Sequence, residues 1–198
     1  MTSNIPCAGC GLRFQCVCDS IPSFNIDAHI ALLMHENELR RDTNTGQWLL
    51  KSIPSTSQHI WQRTQPCEKL LTMIADARYQ VYLLFPNESS IPLPQATQAA
   101  AHSGKTPLFI VLDGTWQEAK KMLNKSPWLK ALECVHLAPT EESQYQLRRN
   151  QQQGHLCTLE VGSAIVEELG YSENAQHLSQ FFTHYMAAFK ADKSGHTL

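Results

Sequence analysis

Short apolar runs alternate along the chain with longer segments of helical period. Four runs rich in β-branched and aromatic residues predict buried strands, at residues 29–34, 79–85, 108–112 and 132–137. Amphipathic patterns predict helices at residues 115–125, 161–169 and 174–189, with shorter helices around the Trp48, Trp61 and Leu70 clusters. Strands that alternate with helices predict an α/β fold with a largely parallel sheet. Residues 87–104 combine prolines with polar residues and predict a surface loop.

The strand predicted at residues 108–112 runs into the sequence Asp113-Gly-Thr-Trp116. The glycine permits backbone geometry that other residues avoid, and Thr115 with Glu118 fits the S/T-x-x-E capping box of a helix start. Asp113 therefore stands where a strand ends and a helix begins, which is the edge of an open α/β sheet where ligands bind. The alternative is that the aspartate and glycine form only a turn and that the tryptophan only packs in the core.

Two further polar loops meet predicted helix starts. Residues 35–46 follow the first strand, and their last three residues, Asn44-Thr45-Gly46, suit the start of the helix that contains Trp48. Thr158 suits the cap of the helix predicted at residues 161–169. His35, taken alone, is typical of a hydrogen-bonded structural residue. Both loops are candidates for a ligand-binding edge.

Length and composition suit one globular core with a small appendage. The chain has 198 residues, of which 42% are hydrophobic and 17% charged. No apolar run approaches the roughly 20 residues that span a bilayer, and the N-terminus lacks the hydrophobic segment of a signal peptide. We therefore expect a cytoplasmic protein with reduced cysteines and no membrane partner. The net charge of −2 offers no broad attraction for nucleic acid, so RNA binding would need a local patch.

Four of the seven cysteines lie within twelve residues, as Cys7-x-x-Cys10 and Cys16-x-Cys18. Thiolates this close in a reducing compartment favour a metal over disulfides, and tetrahedral zinc is the usual occupant. The second spacing is tighter than usual, so unligated thiols and an iron–sulfur cluster remain alternatives. Four thiolates leave no open coordination position, which indicates a structural role. We accordingly divide the chain into a zinc-binding segment (1–24), a main domain (25–190) and a disordered tail (191–198).

Two segments carry clustered basic residues. The predicted helix at residues 115–125 contains three lysines, a pattern typical of a solvated helix face. Residues 143–149 combine Tyr145 with Arg148 and Arg149. Two arginines beside a tyrosine could bind phosphates and stack a base, and an exposed loop with no ligand explains them equally well.

Together these motifs resemble the DTW-domain family, the tRNA-uridine aminocarboxypropyltransferases, whose D-x-T-W motif stands here as Asp113-Gly-Thr-Trp116. The likeness runs from Cys7 to about Phe182 and includes the cysteine cluster. It also covers three further segments: His35-Glu…Asn44-Thr45, Tyr145-x-Leu-Arg-Arg149 and Thr158-Leu-Glu160. Five motifs in family order are more specific than D-x-T-W alone. Cys157 and Val161 stand where the family often has Ser and Ala, which puts a ligand contact by Cys157 in doubt.

The resemblance implies transfer of the 3-amino-3-carboxypropyl group of S-adenosylmethionine to N3 of a uridine in tRNA. It implies a SPOUT-like α/β sheet, knotted around the methionine cofactor and flanked by helices, with a small zinc knuckle at the N-terminus. Knots are rare, and only the family likeness supports this one. The expected ligands are S-adenosylmethionine as co-substrate and structural zinc. The expected partner is tRNA, and a monomer is favoured.

The resemblance also assigns residue roles. Asp113 is expected to act as a base or charge stabiliser for uridine N3, or to orient the uracil, and Trp116 to contact the uracil or the sulfonium. Cofactor contacts are expected from Thr45, Leu112, Asp113, Thr115, Leu137, Leu147, Thr158 and Leu159. Contacts to RNA, aided by the zinc knuckle, are expected from Arg40, Arg41, Lys120, Tyr145, Arg148 and Arg149.

Other functional classes are weighed against this one. The sequence before Asp113 superficially resembles the D-x-D-G-T motif of haloacid-dehalogenase-type phosphatases, but Val111 replaces the nucleophilic aspartate and cannot form an aspartyl-phosphate. A non-catalytic zinc-containing RNA-binding protein would leave the D-x-T-W loop without a role. Methyl transfer to RNA, or aminocarboxypropyl transfer to ribosomal RNA, would keep the cofactor and change the outcome.

Overall fold

A six-stranded, fully parallel sheet forms the centre of the protein, in a computed structural model that describes residues 5–138 and 156–198. The strands are β1 (His29–Met34), β2 (Thr56–Ile60), β3 (Tyr79–Leu84), β4 (Ile91–Pro92), β5 (Thr106–Asp113) and β6 (Glu133–His136). Their order across the sheet is β2-β1-β5-β3-β6-β4. The α/β class and the four predicted strands are confirmed. The strand β2 was not predicted, because its residues Thr-Ser-Gln-His-Ile suit an edge strand and contain no apolar run.

Seven helices surround the sheet in the described part of the chain. They are α1 (Gly46–Ser52), α2 (Glu68–Ala75), α3 (Leu93–Ser103), α4 (Trp116–Lys125), α5 (Pro127–Lys130), α6 (Thr158–Glu168) and α7 (Ser172–Lys193). The loop predicted at residues 87–104 is wrong, because β4 and α3 occupy most of it. Pro94 stands in the first turn of α3, where a proline fits because its missing N–H would have had no helical partner. Gly104 ends that helix with φ 65°, a conformation suited to glycine.

Successive side chains of the central strands point to two different cores. On one face, Ile30 and Phe109 pack with apolar residues of α1, α3, α6 and α7. On the other, Leu33 and Ile110 pack with residues of α2, α4 and α5. This period of two follows from the pleat of the strands. The aromatic stripe predicted on the last helix is confirmed as core packing, through Leu178, Phe181, Phe182, Tyr185 and Phe189.

The N-terminal cysteine segment shares the first of these cores. Cys10, Leu12 and Val17 are buried in the same cluster as the residues of α6 and α7. The Asp192 carboxylate also accepts hydrogen bonds from the backbone N–H groups of Arg13 and Phe14, at 2.5 and 2.8 Å. The predicted disorder from residue 191 onward is wrong for residues 191–193, which form the last residues of α7. Their order is consistent with the bonds that Asp192 makes to the cysteine segment.

The neighbouring strands β1 and β5 mark the point where the chain changes direction. From β1 the chain leads to β2 on one side, and from β5 it passes over β3 to β6 on the other side. Such a switch opens a crevice at the carboxyl ends of the two strands. There the His35 N–H donates to the Asp113 carbonyl at 2.9 Å.

The knot expected from the family likeness and the question of a membrane-spanning helix concern different parts of the chain. Residues 139–155, which join β6 to α6 and would form the knot, lie outside the described residues, so the knotted SPOUT-like arrangement stays a prediction. Among the helices of the described part, none combines the length and the apolar character needed to span a bilayer.

Candidate active site at the Asp113 junction

The turn after β5 is built as its sequence predicts. The hydroxyl of Thr115 accepts a hydrogen bond from the Glu118 N–H at 3.3 Å, and the Glu118 carboxylate accepts one from the Thr115 N–H at 2.8 Å. The capping box is therefore confirmed. It fixes the direction in which α4 leaves the sheet and leaves Asp113 at the end of β5.

Three loops converge on the Asp113 carboxylate. Oδ2 accepts a hydrogen bond from Asn44 Nδ2 at 2.9 Å, and Oδ1 accepts one from Thr158 Oγ1 at 2.5 Å. Asn44 lies just before α1, and Thr158 is the first residue of α6. The approach is so close that a Cβ on Gly46 would lie 2.7 Å from Oδ2. The carboxylate thus ties the ends of β5, α1 and α6 together, and we call this arrangement the Asp113 junction.

Asp113 and Thr158, which share the 2.5 Å hydrogen bond, differ in their exposure to solvent. The Asp113 residue is 3% exposed, whereas Thr158 is only half-buried. A ligand at this edge therefore meets the Thr158 residue more readily than the buried Asp113. The predicted helix cap at Thr158 is wrong, because its hydroxyl donates to Asp113 and the residue is the first of α6. The cap itself is Cys157, whose N–H donates to Glu160 at 2.7 Å.

An ion-pair network borders the junction. Arg41 donates to both oxygens of Glu118, at 2.8 and 2.9 Å, and to the buried carboxylate of Glu38. The second Glu38 oxygen accepts from Asn44 Nδ2 at 3.2 Å, so the network is continuous with Asp113. Burial opposes ionisation of Glu118, but hydrogen bonds from Arg41, Asn37 and Thr115 outweigh it and lower the pKa of its carboxyl. The bond to Glu118 is the main cause that raises the pKa of Arg41.

His35 and two tryptophans line the same edge. The His35 ring is buried and stacks on Trp61, with ring centroids 5.5 Å apart. Its Nδ1 accepts from the Asn37 N–H at 3.3 Å, while its buried Nε2 has no partner among the described residues. Trp116 stacks on Phe85 at 5.1 Å, with the rings 4° from parallel. The edge therefore combines a polar atom that needs a ligand or water with an aromatic platform.

Besides Asp113 and Thr115 of the turn after β5, the predicted cofactor residues fall into three groups. Thr45, Thr158 and Leu159 meet, because the Thr45 hydroxyl accepts from the Leu159 N–H at 3.3 Å. Leu112 and Leu137 lie at the carboxyl ends of β5 and β6, the first buried and the second half-buried. Leu147 lies outside the described residues.

The predicted RNA residues are placed less uniformly. Arg40 is exposed, and Lys120 lies over the Trp116 ring with Nζ 5.2 Å from its centroid. Arg41 is paired with the carboxylates of Glu38 and Glu118, and its predicted contact with RNA stays a prediction. Tyr145, Arg148 and Arg149 lie outside the described residues.

Sequence reasoning missed Glu38 and the contact made by Asn44. Glu38 is 1% exposed, and a glutamate is rarely buried this deeply unless it is paired, as Glu38 is with Arg41. Nothing in the local pattern marks it, because its exposed neighbours Glu36 and Leu39 suggest an ordinary surface loop. Asn44 carries a sequence signal as a helix-start residue, and it also serves as one, since its Oδ1 accepts from the Gln47 N–H at 3.0 Å.

The four N-terminal cysteines form a second site. Their sulfur atoms all lie within 4.8 Å of one another, with Cys7 Sγ 3.6 Å from Cys16 Sγ and 3.7 Å from Cys18 Sγ. A tetrahedral zinc with Zn–S bonds of about 2.3 Å separates its sulfurs by about 3.8 Å, so these residues fit that metal. A Cβ on Gly9 would lie 2.5 Å from Cys18 Sγ, which explains the glycine.

The thiols of this cluster differ in their acidity. Hydrogen bonds from the backbone at Cys10 and Gly9 lower the pKa of Cys7 to about 6, whereas burial raises the pKa of Cys18 to about 12. Cys7 thus supplies a thiolate at neutral pH, while metal binding must displace a proton from Cys18.

Comparison with known proteins supports the family suggested by the motifs. The model of the DTW domain matches residues 4–190. The chain is also similar to "tRNA-uridine aminocarboxypropyltransferase 2" of Drosophila melanogaster, with 28% identity over 160 residues, which are 78% of this chain and 62% of that protein. It therefore spans less than two thirds of that relative's length. No solved structure matches the chain. Since the family model covers nearly all of the sequence, the chain belongs to the DTW-domain family.

Proposed function

We propose that this protein transfers the 3-amino-3-carboxypropyl group of S-adenosylmethionine to N3 of a uridine in tRNA. The observation that carries this proposal is the Asp113 junction, where the D-x-T-W turn meets the starts of α1 and α6 at the switch point of a parallel sheet. Membership of the DTW-domain family and the printed name of the fly relative agree with this activity.

The edge has a suitable character for the sulfonium co-substrate. The buried Asp113 carboxylate and the aromatic pair of Trp116 and Phe85 favour a cation at this edge. The carboxylates of Glu38 and Glu118, in contrast, are already paired with Arg41. The unpartnered Nε2 of His35 offers a hydrogen bond to a polar group of the ligand. S-adenosylmethionine supplies an activated carbon next to its sulfonium, and the protein supplies the position of that carbon.

The acceptor has to lose a proton. In the proposed step N3 of uridine forms a bond to Cγ of the aminocarboxypropyl group, the Cγ–S bond breaks, and methylthioadenosine leaves with the electron pair. We assign the N3 proton to the Thr158 hydroxyl, which passes its own proton to Asp113. The 2.5 Å contact between Thr158 Oγ1 and Asp113 Oδ1 supports this relay. The buried carboxylate then acts on the substrate through the hydroxyl of the half-buried Thr158.

Aminocarboxypropyl transfer and methyl transfer place different atoms of the co-substrate in the RNA. The test incubates unmodified tRNA with S-adenosylmethionine labelled either at the carboxyl carbon or at the methyl carbon. We expect the carboxyl label to enter tRNA and the methyl label to stay with the small molecules. Entry of the methyl label into tRNA would show methyl transfer. Entry of the carboxyl label into ribosomal RNA, with none in tRNA, would show that ribosomal RNA is the substrate.

A further inference from the structure

A cleft of about 880 Å³ lies between residues 6–14 of the cysteine segment and the surface of the main domain. One wall is formed by residues 6–14, another by residues 39–42, and α1 and the end of α7 close the remainder. Arg41 lines this cleft and also binds Glu118 of the network beside the Asp113 junction. A ligand that fills the cleft therefore lies next to the proposed active site.

Each of the two principal walls presents an arginine beside an exposed apolar residue. The cysteine segment contributes Arg13 and Phe14, and the loop after β1 contributes Leu39 and Arg40. Phe14 is 41% exposed and Leu39 54% exposed, and they are two of the four large apolar side chains that are exposed in the described part of the chain. Apolar side chains held open to solvent beside guanidinium groups suit stacked bases joined by phosphates.

The acidic side chains of the cleft are already occupied. Asp42 pairs with Lys193 at 3.0 Å, and Asp192 accepts from the backbone of Arg13 and Phe14. Within the described residues neither Arg13 nor Arg40 forms an ion pair. A zinc tetrathiolate would add negative charge at the far end, where Lys51 donates to the Gly9 carbonyl. The Asp192 carboxylate keeps its charge, but the basic side chains that line the cleft outnumber its two aspartates, and the arginines without an ion pair in the described part of the chain stand on the two principal walls.

We infer that this cleft binds an unpaired segment of the substrate RNA, with phosphates at Arg13 and Arg40 and bases against Phe14 and Leu39. The inference rests on the proposed function for the identity of the RNA. The Asp192 bonds hold the Arg13–Phe14 wall in place before binding, so little ordering is needed. The acidic chain, with its net charge of −2, thereby acquires a local basic surface for RNA.

The test measures tRNA affinity by fluorescence anisotropy at several salt concentrations. The Arg13→Ala, Arg40→Ala double variant should bind unmodified tRNA at least about tenfold more weakly and should lower the salt slope by roughly 1–2. Phe14→Ala should weaken binding about tenfold with an unchanged slope, because it removes a stacking surface. The matched control is the double variant Lys105→Ala, Lys130→Ala. It removes two exposed cations that lie just before the amino-terminal ends of β5 and β6, at the sheet edge opposite the proposed active site.

The outcomes separate this inference from the proposed function. S-adenosylmethionine affinity and zinc content should be unchanged in the double variant, which would show that it is folded. Wild-type affinity for tRNA in the double variant and in Phe14→Ala would overturn the inference, and so would an equal loss in the lysine control. Neither result would affect the label-transfer test of the proposed activity. Weaker tRNA binding without any group transfer would support the cleft and reject the activity.

Discussion

Thr158 is the residue through which the buried carboxylate is proposed to act. Replacing it with valine keeps the shape and removes the hydroxyl that donates to Asp113. We expect Thr158→Val to lower kcat roughly 100-fold, as for loss of a general acid–base group, and stability to fall by about 1 kcal/mol. Thr158→Ser should retain most of the activity. Equal kcat values for the valine and serine variants, with S-adenosylmethionine still bound, would exclude the relay.

Arg41 holds two carboxylates that would otherwise be poorly solvated. Its replacement by methionine leaves Glu38 and Glu118 without their cation, so we expect a loss of about 3 kcal/mol in the free energy of unfolding at pH 7. The pKa of Glu118 is lowered in the folded protein. Its contribution is therefore complete above the unfolded value of about 4.3 and is lost as the pH falls below it.

The measurement is urea unfolding of wild type and Arg41→Met at pH 7 and near pH 4. The difference between the two proteins should be largest at pH 7 and smaller near pH 4, where Glu118 takes up a proton in the unfolded chain while Arg41 keeps it ionised in the folded wild type. The neighbouring Arg40→Met is the control and should change stability by less than about 0.5 kcal/mol. A pH-independent deficit in Arg41→Met would reject the electrostatic explanation.

Residue contacts were predictable from the sequence only where both partners are local. The capping box of Thr115 and Glu118 was visible because the two residues are three positions apart. The bonds from Arg41 to Glu118 span 77 positions, and that from Thr158 to Asp113 spans 45. Those partners are brought together by the strand order. The sequence therefore identified Asp113 as a site residue but could not show that Thr158 donates a hydrogen bond to it.

At the scale of elements, α1 and α6 are the pair that positions the junction. Gly162 of α6 lies so close to Leu49 of α1 that an added Cβ would press against both leucine methyl groups and lie 3.0 Å from Cγ. We expect Gly162→Ala to destabilise the protein by about 1–3 kcal/mol through overpacking. It should also reduce activity, because the starts of these two helices hold Asn44 and Thr158 around Asp113.

A double-mutant cycle checks this contact. Leu49→Ala alone should cost about 2–5 kcal/mol by creating a cavity. Combined with Gly162→Ala it should cost less than the sum of the two, since the added methyl occupies part of that cavity. Strict additivity in thermal or chemical unfolding would mean that the two helices do not meet at this position.

Element prediction succeeded where the hydrophobic pattern matched burial. The central strands are buried on both faces, so their apolar runs were unambiguous. The edge strand β2 is polar, so its sequence did not predict a strand. Prolines at the start of α3 also suit a loop, so a loop was predicted where the structure has a helix. Tertiary packing, which the local sequence does not record, decided both.

On the scale of the whole molecule, the cysteine cluster fastens the N-terminus to the main domain. We expect the protein to contain one zinc per chain, and removal of the metal by a chelator to lower Tm and weaken tRNA binding. S-adenosylmethionine affinity should change little, because the Asp113 junction is built by other segments. Gly9→Ala should release zinc faster to the chelator, since its methyl would collide with Cys18 Sγ.

Two comparisons keep this expectation testable. Ala8→Ser adds an atom at an exposed neighbouring position and should release zinc as slowly as wild type. Metal analysis that finds no zinc, or finds iron with sulfide, would contradict the assignment of the metal. A wild-type Tm after complete removal of zinc would contradict its structural role.

The central claim is that the Asp113 junction carries out aminocarboxypropyl transfer. The most direct test identifies, by mass spectrometry, the small molecule formed from S-adenosylmethionine and unmodified tRNA by wild type and by Asp113→Asn. We predict methylthioadenosine from the wild type and a rate at least about 100-fold lower from the variant, with zinc and S-adenosylmethionine still bound. S-adenosylhomocysteine as the product, or an undiminished rate from Asp113→Asn, would contradict the claim.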